Sequence, residues 1–169
     1  MRTQAWRTIR NQPAMGAVLL ATWMACGFGS QATSGTDQQK SARELAAFHL
    51  SMAKLSKAAQ ASKALERLSE TDPSLKGVTQ FDKQKGPQSI AEVVTRIDEH
   101  PQARTAIESA GLSTRDYVLT MYCFEQSAQA LFLKEEAGEK HFPPGASEEN
   151  VVFVRNHLKE INRLFGDKP

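Results

Sequence analysis

Two residues stand at a spacing that could bind a haem iron. His49 and Met52 are three positions apart, so on a helix their side chains would share one face, and helical bundles can hold haem between histidine and methionine ligands. The chain has no Cys-x-x-Cys-His sequence, which excludes a covalently attached c-type haem. The competing interpretation places His49 at the edge of an apolar stripe in which Met52 fills the core. We therefore predict no cofactor, and a bundle that carries haem or a metal is the alternative.

Metal chemistry has one candidate cluster near the end of a predicted helix. Glu135, Glu136, Glu139 and His141 lie close together in the sequence, and carboxylates with a histidine can bind divalent metals. A di-metal carboxylate bundle, however, uses a glutamate followed three residues later by a histidine, and no glutamate of this chain has a histidine at that position. A cluster of charges at a helix end is typical of a solvated face. The sequence predicts no metal site.

Acid–base or thiol chemistry would have to come from Glu125 or Cys123, which lie in a long apolar stretch of the chain. Burial would raise the pKa of Glu125 unless Arg96, Arg104 or Arg155 paired with it, and a buried glutamate can act as a general acid. The structural alternative is an ion pair or a face turned to solvent. The sequence has no arrangement of cysteine, histidine and asparagine, or of serine, histidine and aspartate, that supports nucleophilic catalysis by Cys123. We predict that the protein is not an enzyme.

Both residues belong to the stretch around which the chain is organised, residues 112–137. Its beginning has Ser113 and Asp116 at the spacing of a capping box, which predicts the first turn of a helix. Residues 117–133 are apolar on nearly every face of that helix, so the helix belongs in the middle of a bundle. One glutamate and two glutamines interrupt this run, which makes it a poor membrane span.

A long helix is predicted before this stretch, from Lys40 to Ser69. An apolar stripe steps along it by three and four residues, and its members are Leu45, Phe48, Met52, Leu55, Ala59, Leu65 and Leu68. The cationic side chains that lie mainly off the stripe are Lys54, Lys57, Lys63 and Arg67. They predict a solvated face on which a partner could dock. A helix of about 45 Å, at 1.5 Å per residue, is long for a globular protein, which favours a kink or an overhang.

Residues 70–88 are predicted to form a loop, because Asp72 precedes a proline and the segment carries charge and glycine with little pattern. Val78 and Phe81 could pin this loop to the bundle. Two short helices follow. Ser89 and Glu92 have capping-box spacing at the first, and the second begins near residue 101, at a proline.

The last helix is predicted to begin after Ser147 and to end at Gly166. Its packing seam consists of Val151, Val154, Leu158, Ile161 and Phe165. No segment alternates apolar and polar residues as a strand does. The predicted fold is therefore all-α, an irregular four-helix-type bundle of three long helices and two short ones.

Residues 1–32 have the pattern of an export signal, with three arginines before an apolar run that is too short for a permanent membrane span. Two cleavage sites stay open. A conventional signal peptidase could cut after Ala32, whereas residues 22–26 resemble a bacterial lipobox and would make Cys26 the acylated residue. Residues 33–39 are a predicted flexible tether, and residues 40–169 a single helical domain. The predicted location is the bacterial periplasm, either free or anchored to a membrane through the lipid on Cys26.

The charge of the chain depends on this signal. The full sequence has 21 basic and 19 acidic side chains, and without the three arginines of residues 1–32 the count becomes 18 to 19, a net charge of −1. A nearly neutral domain offers no electrostatic basis for binding nucleic acid. Without Cys26, Cys123 is the remaining cysteine, so no intramolecular disulfide is expected.

Two blocks within residues 90–155 carry a resemblance. They are IDEHPQARTAIESAGLSTRDYVLTMYCFEQSAQA and FPPGASEENVVFVRNHLKEI, and they resemble a family of small exported helical bacterial proteins of unknown function. The resemblance implies export and a helical fold, and it carries no catalytic residue. We also predict a polar junction between residues 115–117 and residues 153–156. The predicted function is a non-catalytic envelope protein whose helical domain binds another envelope protein or a small ligand.

Overall fold

The computed structural model describes residues 34–79, 89–136 and 146–166, and the regular structure in these ranges is entirely helical. The helices are α1 (Ser34–Ala47), α2 (Met52–Thr71), α3 (Ile90–Asp98), α4 (Pro101–Ser109), α5 (Thr114–Glu136), α6 (Glu148–Asn156) and α7 (Leu158–Phe165), with a 3₁₀ turn at Pro73–Leu75. The prediction of an all-α protein is confirmed. None of these described helices is both long and apolar enough to cross a membrane.

Several predicted features lie outside the described residues. They are the signal segment 1–32 with Cys26, residues 80–88 of the loop including Phe81, and the cluster residues Glu139 and His141. The part of the loop that is described continues from α2 into a turn in which Val78 is buried. The carbonyl of Val78 accepts a hydrogen bond from Nε of Arg96 at 2.9 Å, so Val78 does pin this turn to α3.

The first helical region is two helices instead of one. α1 ends at Ala47 and α2 begins at Met52, with Ser51 as its N-cap in an extended conformation. The Ser51 hydroxyl accepts a hydrogen bond from the backbone N–H of Lys54 at 3.3 Å, which satisfies one of the free donors at a helix start. The prediction of one helix over 40–69 is therefore wrong, whereas the kink that its length favoured is present as a break at residues 48–51. α1 also begins at Ser34, within the residues for which a tether is predicted.

The local stop and start signals elsewhere act as expected. Ser89 and Glu92 form a complete capping box, and Gly111 follows α4 with a φ of 79°, a conformation in which glycine has no Cβ penalty. The last helical region starts after Ser147 and stops before Gly166. It is interrupted at His157, where α6 ends and α7 begins.

α5 is the helix against which most of the others pack, since it contacts α1, α2, α3, α4 and α6, while α2 also packs against α4 and α7. The largest fully buried apolar side chains are Leu55, Ile90, Ile97, Ile107, Leu131 and Ile161. Each contributes about 1.5–3 kcal/mol by leaving water. The helix is not enclosed on every side, however. Glu125, Gln129 and Phe132 are exposed, so one face of this apolar helix reaches solvent.

Candidate functional site

The turn between α1 and α2, residues 48–51, is held by one buried amide from the far end of the chain. Asn150 is 1% exposed. Its Nδ2 donates to the carbonyl of Phe48 at 2.7 Å, and its Oδ1 accepts from the N–H of Leu50 at 2.9 Å. One side chain thus satisfies a donor and an acceptor that the break in the helix leaves without helical partners. We call residues 48–51 the hinge and Asn150 its clamp.

Two further contacts hold the hinge from the outside. Nζ of Lys54 donates to the carbonyl of His49 at 3.0 Å and lies 4.0 Å from the centre of the Phe48 ring, a cation–π geometry. Nδ1 of His49 lies 3.1 Å from a carboxylate oxygen of Glu149, and both side chains are largely exposed. An exposed pair of this kind contributes little to stability.

This arrangement decides where the candidate haem ligands lie. His49 is in the hinge and exposed, whereas Met52 is the first residue of α2 and half-buried. Because α2 begins at Met52, the two residues do not share a helical face as their spacing predicts. The haem hypothesis stays a prediction of the sequence, and no observation in the described structure favours it.

α1 is attached to the rest of the domain mainly by polar contacts. One Nη of Arg115 at the start of α5 donates to both carboxylate oxygens of Glu44, at 2.5 and 2.6 Å. The hydroxyl of Ser41 accepts from the N–H of Ile90 at 3.1 Å, where α3 begins. Among the described side chains of α1, Leu45 is the buried one. α1 therefore docks on α3 and α5 through one apolar anchor and a few polar bonds.

The predicted polar junction between residues 115–117 and 153–156 is not formed. Arg115 pairs with α1, Asp116 binds the Ser113 hydroxyl within its own cap, and the Tyr117 hydroxyl shares a 3.0 Å hydrogen bond with Ser62 of α2. The polar link from the last helices runs through Asn150 instead. The sequence does show a polar residue, Asn150, in the first turn of a predicted helix and beside apolar residues. It does not show what this side chain binds, because its partners lie about a hundred residues away.

Cys123 is fully buried on the core side of α5, and its Sγ–H donates to the carbonyl of Leu45 in α1 at 3.6 Å. Burial raises the pKa of the Cys123 thiol from 9.0 to about 12, since a thiolate would lose its hydration there. Thiols react as thiolates. The environment therefore suits a packing residue and gives no support to a nucleophile.

Burial also raises the pKa of Tyr117 and of Tyr122, and the charge of Glu125 acts in the same direction on both. The hydrogen bond to Ser62 opposes the shift at Tyr117. Glu125 itself is exposed, which agrees with the alternative of a face turned to solvent and not with a general acid in a cavity. One turn beyond Cys123, the buried hydroxyl of Ser127 has no hydrogen-bond partner.

The cationic residues of α2 divide into two pairs. Lys54 and Lys57 are bonded to backbone carbonyls, Lys54 to His49 and Lys57 to Gly111 at 3.3 Å. Lys63 and Arg67 are exposed. The ammonium groups of the first half thus cap the hinge and the end of α4, although Lys57 is itself exposed, whereas the second half consists of two exposed cationic side chains.

An apolar surface lies where α5 meets α7. The rings of Phe124 and Phe165 stack with centroids 5.2 Å apart, and both are half-buried. Phe132, about 12 Å further along α5, is 44% exposed. We call Phe124, Phe132 and Phe165 the aromatic face. Val152 of α6, 38% exposed, is the other large apolar side chain exposed among the described residues.

In the described part of the chain, no three histidine, cysteine, aspartate or glutamate side chains lie close enough together to hold a metal ion. Comparison with protein-family models, with curated proteins and with solved structures finds no match to this chain.

Proposed function

We propose that the protein is a non-catalytic binding domain of the bacterial envelope, and that its aromatic face receives an apolar segment of another envelope protein. The exposure of Phe132 on the long apolar helix α5 is the observation that carries this proposal. Large aromatic side chains are enriched at the centres of protein interfaces. Full burial of a phenylalanine side chain contributes about 1.5–3 kcal/mol. Because Phe132 is nearly half exposed, a partner that covers it would gain part of this free energy.

The neighbours of Phe132 also favour a protein partner. Glu125 and Gln129 are exposed on the same side of α5, so the apolar strip has a polar border, as interfaces usually do. The stacked pair of Phe124 and Phe165 joins α5 to α7, so two helices contribute to the surface. An apolar strip with a polar border suits a helical or extended peptide segment.

Substitution of Phe132 by glutamate tests this surface. We expect Phe132→Glu to remove the partner that co-purifies with the wild-type protein from its own envelope, because a charge would have to be desolvated at the contact. Gln102→Glu is the matched control, since it adds the same charge at an exposed position on α4, outside the aromatic face and its border, and it should retain the partner. A partner identified in both samples at equal yield, with unchanged thermal unfolding, would contradict the proposal.

The alternative docking surface is the exposed half of the cationic face on α2. Charge reversal of Lys63 and Arg67 together should leave the partner bound if the aromatic face is the interface. Loss of the partner in that variant, and not in Phe132→Glu, would instead assign docking to α2.

Export and anchoring belong to the same proposal. The basic and apolar pattern of residues 1–32 supports a signal, and the lipobox-like residues 22–26 support acylation at Cys26. A native mass spectrum of the protein from the envelope of its host distinguishes the two cleavages. A mass that starts at Cys26 with added acyl chains indicates a lipoprotein, whereas a start at Thr33 indicates a free exported domain.

The proposed architecture is an irregular four-helix-type bundle within the family that the two sequence blocks resemble. The packing of α2 on α4, α5 and α7, and of α5 on α3 and α6, supports this arrangement. Distances between spin labels on the exposed sides of α2 and α5 would test it, since neighbouring helices of a bundle lie 8–10 Å apart.

A further inference from the structure

The apolar pattern of the first two helices continues through the hinge without a break. Leu45, Phe48, Met52 and Leu55 follow one another at steps of three and four residues, and residues 40–69 contain neither proline nor glycine. Local sequence therefore favours one continuous helix across residues 48–51. The bend is a tertiary feature that other parts of the molecule impose.

The groups that impose the bend are few and can be named. The Ser51 hydroxyl caps α2, Asn150 binds Phe48 and Leu50, and Lys54 binds the His49 carbonyl. If the hinge straightened, the backbone groups of 48–51 would instead bond within the helix, as they do in any uninterrupted α-helix. The hinge thus has two arrangements that satisfy its backbone.

The contacts of α1 with the domain do not depend on which copy of the chain supplies α1. Glu44 pairs with Arg115, Ser41 accepts from Ile90, and the Leu45 carbonyl accepts from Cys123. All three of these partners lie on α3 and α5, beyond the hinge. An α1 from a second copy would form the same bonds and bury the same leucine, so the bent and the exchanged forms differ chiefly in the hinge.

We propose that two copies of this chain exchange α1. In the exchanged dimer the hinge of each copy is straight, α1 and α2 form one helix of about 57 Å at 1.5 Å per residue, and each α1 docks on α3 and α5 of the other copy. The exchange is reciprocal and closes with twofold symmetry, so it produces dimers and no open chains. The inference does not depend on the aromatic face or on its partner.

Charge complementation tests the exchange directly. In Glu44→Arg, and equally in Arg115→Glu, like charges face each other whether α1 docks on its own chain or on an identical copy. In a mixture of the two variants, an exchanged heterodimer brings the two substituted side chains together as an ion pair of reversed polarity and also restores the native pair of Glu44 with Arg115. We expect native mass spectrometry of an equal mixture of the full chains, one isotope-labelled and both at equilibrium, to show a ratio of heterodimer to homodimers about tenfold above the statistical ratio of one to one.

The double variant Glu44→Arg/Arg115→Glu is the matched control. Its pair is restored within the chain, so it should fold as the wild type does, and when mixed with wild type it should form less mixed dimer than the statistical share. A mixture of the two single variants that contains only monomers, or a heterodimer no more abundant than in the control mixture, would overturn the proposal.

Variants of the hinge give a second test that does not rely on charge. Asn150→Ala and Ser51→Ala each remove a group that holds the bent form and leave the straight form intact. A dimer contains two hinges, so each substitution should raise the association constant at least about tenfold. Asn156→Ala, an exposed asparagine on the same helix as Asn150, is the control and should change nothing. Folded Asn150→Ala and Ser51→Ala proteins with an unchanged association constant would also overturn the proposal.

Discussion

Asn150 holds the bend between α1 and α2, because its side chain replaces two hydrogen bonds that a continuous helix would make. The carbonyl of Phe48 and the N–H of Leu50 both lie in the break between α1 and α2. A buried backbone group that loses its partner costs about 1–3 kcal/mol. Asn150 thus joins the α1–α2 hinge to α6 through one buried and one partly buried hydrogen bond.

Asn150→Ala should therefore lower the free energy of unfolding by about 2–4 kcal/mol, since the carbonyl of Phe48 and the N–H of Leu50 both lose their partner. The measurement is urea-induced unfolding of the monomer at low protein concentration, followed by circular dichroism. Asn156→Ala should stay within about 0.5 kcal/mol of wild type, as is usual for an exposed site. A loss below about 1 kcal/mol would mean that water or a rearranged hinge takes over the two bonds.

Cys123 makes the stability depend on pH in the alkaline range. Its pKa is raised from 9.0 to about 12 in the folded protein, so above pH 9 the unfolded chain loses this proton before the folded chain does. The unfolded state then binds fewer protons, and stability falls as the pH rises from about 9 to 12, by at most about 1.4 kcal/mol per pH unit for one group.

We expect Cys123→Ala to remove this part of the pH dependence while Tyr117, whose pKa is also raised, retains its own share. Unfolding measured at pH 8, 9.5 and 10.5 in both proteins gives the difference. In parallel, the wild-type thiol should react with a disulfide reagent at pH 8 at least about a thousandfold more slowly in the native state than in guanidinium. If stability depended equally on pH in the two proteins, the thiol would ionise as readily in the folded state as in the unfolded state, contrary to the prediction.

At the scale of the helix, two residues within one turn of each other stabilise the start of α3. The Ser89 hydroxyl accepts from the Glu92 N–H at 3.2 Å, and a Glu92 carboxylate oxygen accepts from the Ser89 N–H at 2.7 Å. Ser89 is also buried. Ser89→Ala should lower the free energy of unfolding by about 1 kcal/mol, in the range known for N-caps. Gln102→Ala in the first turn of α4, an exposed position, is the comparison, and equal stabilities of the two variants would contradict the role of the cap.

The break between α1 and α2 shows where helix-scale prediction fails. The stripe from Leu45 to Leu68 is a correct signal, because Leu55, Ala59 and Leu65 are buried as it predicts. It contains no information on the bend, since the residue that holds the hinge belongs to α6. The interruption at His157 is similar, for the seam from Val151 to Phe165 reads as one helix although the backbone turns within it.

At the scale of the whole molecule, stability is spread unevenly. α5 contacts each of the other described helices, whereas α1 has Leu45 as its buried side chain among residues 39–47. Regions with few buried apolar contacts open locally at a lower free energy than the global unfolding. α1 should therefore detach while the remaining described helices stay folded.

Hydrogen exchange under native conditions measures this difference. Amides of α1 should exchange at rates that hardly change with low denaturant concentrations, which indicates local opening, whereas central amides of α5 should follow global unfolding. Glu44→Gln should speed exchange in α1 by about two- to fivefold, because an ion pair that water still reaches in part contributes up to about 1 kcal/mol, and should leave α5 unaffected. Exchange of α1 and α5 at one common free energy would contradict the prediction.

Only part of the candidate site could be predicted from the sequence. The sequence pointed to an apolar α5 with a solvent-facing side at Glu125 as one alternative and to an unreactive Cys123, because burial patterns follow from helical periodicity. It did not point to the aromatic face. Phe132 belongs to a run of apolar residues, and which member of such a run remains exposed depends on how many helices pack around it.

By itself the sequence determined the helical class, the ends of most helices and the absence of strands among the described residues. Those features depend on residues three or four positions apart, such as Ser89 with Glu92 or Gly111 after α4, and short-range hydrogen bonds and sterics decide them. The tertiary structure alone decided the hinge, the pairing of Arg115 with Glu44 and the position of His49. Each of these depends on groups far apart in the chain, as Asn150 and Phe48 are, and packing brings such groups together.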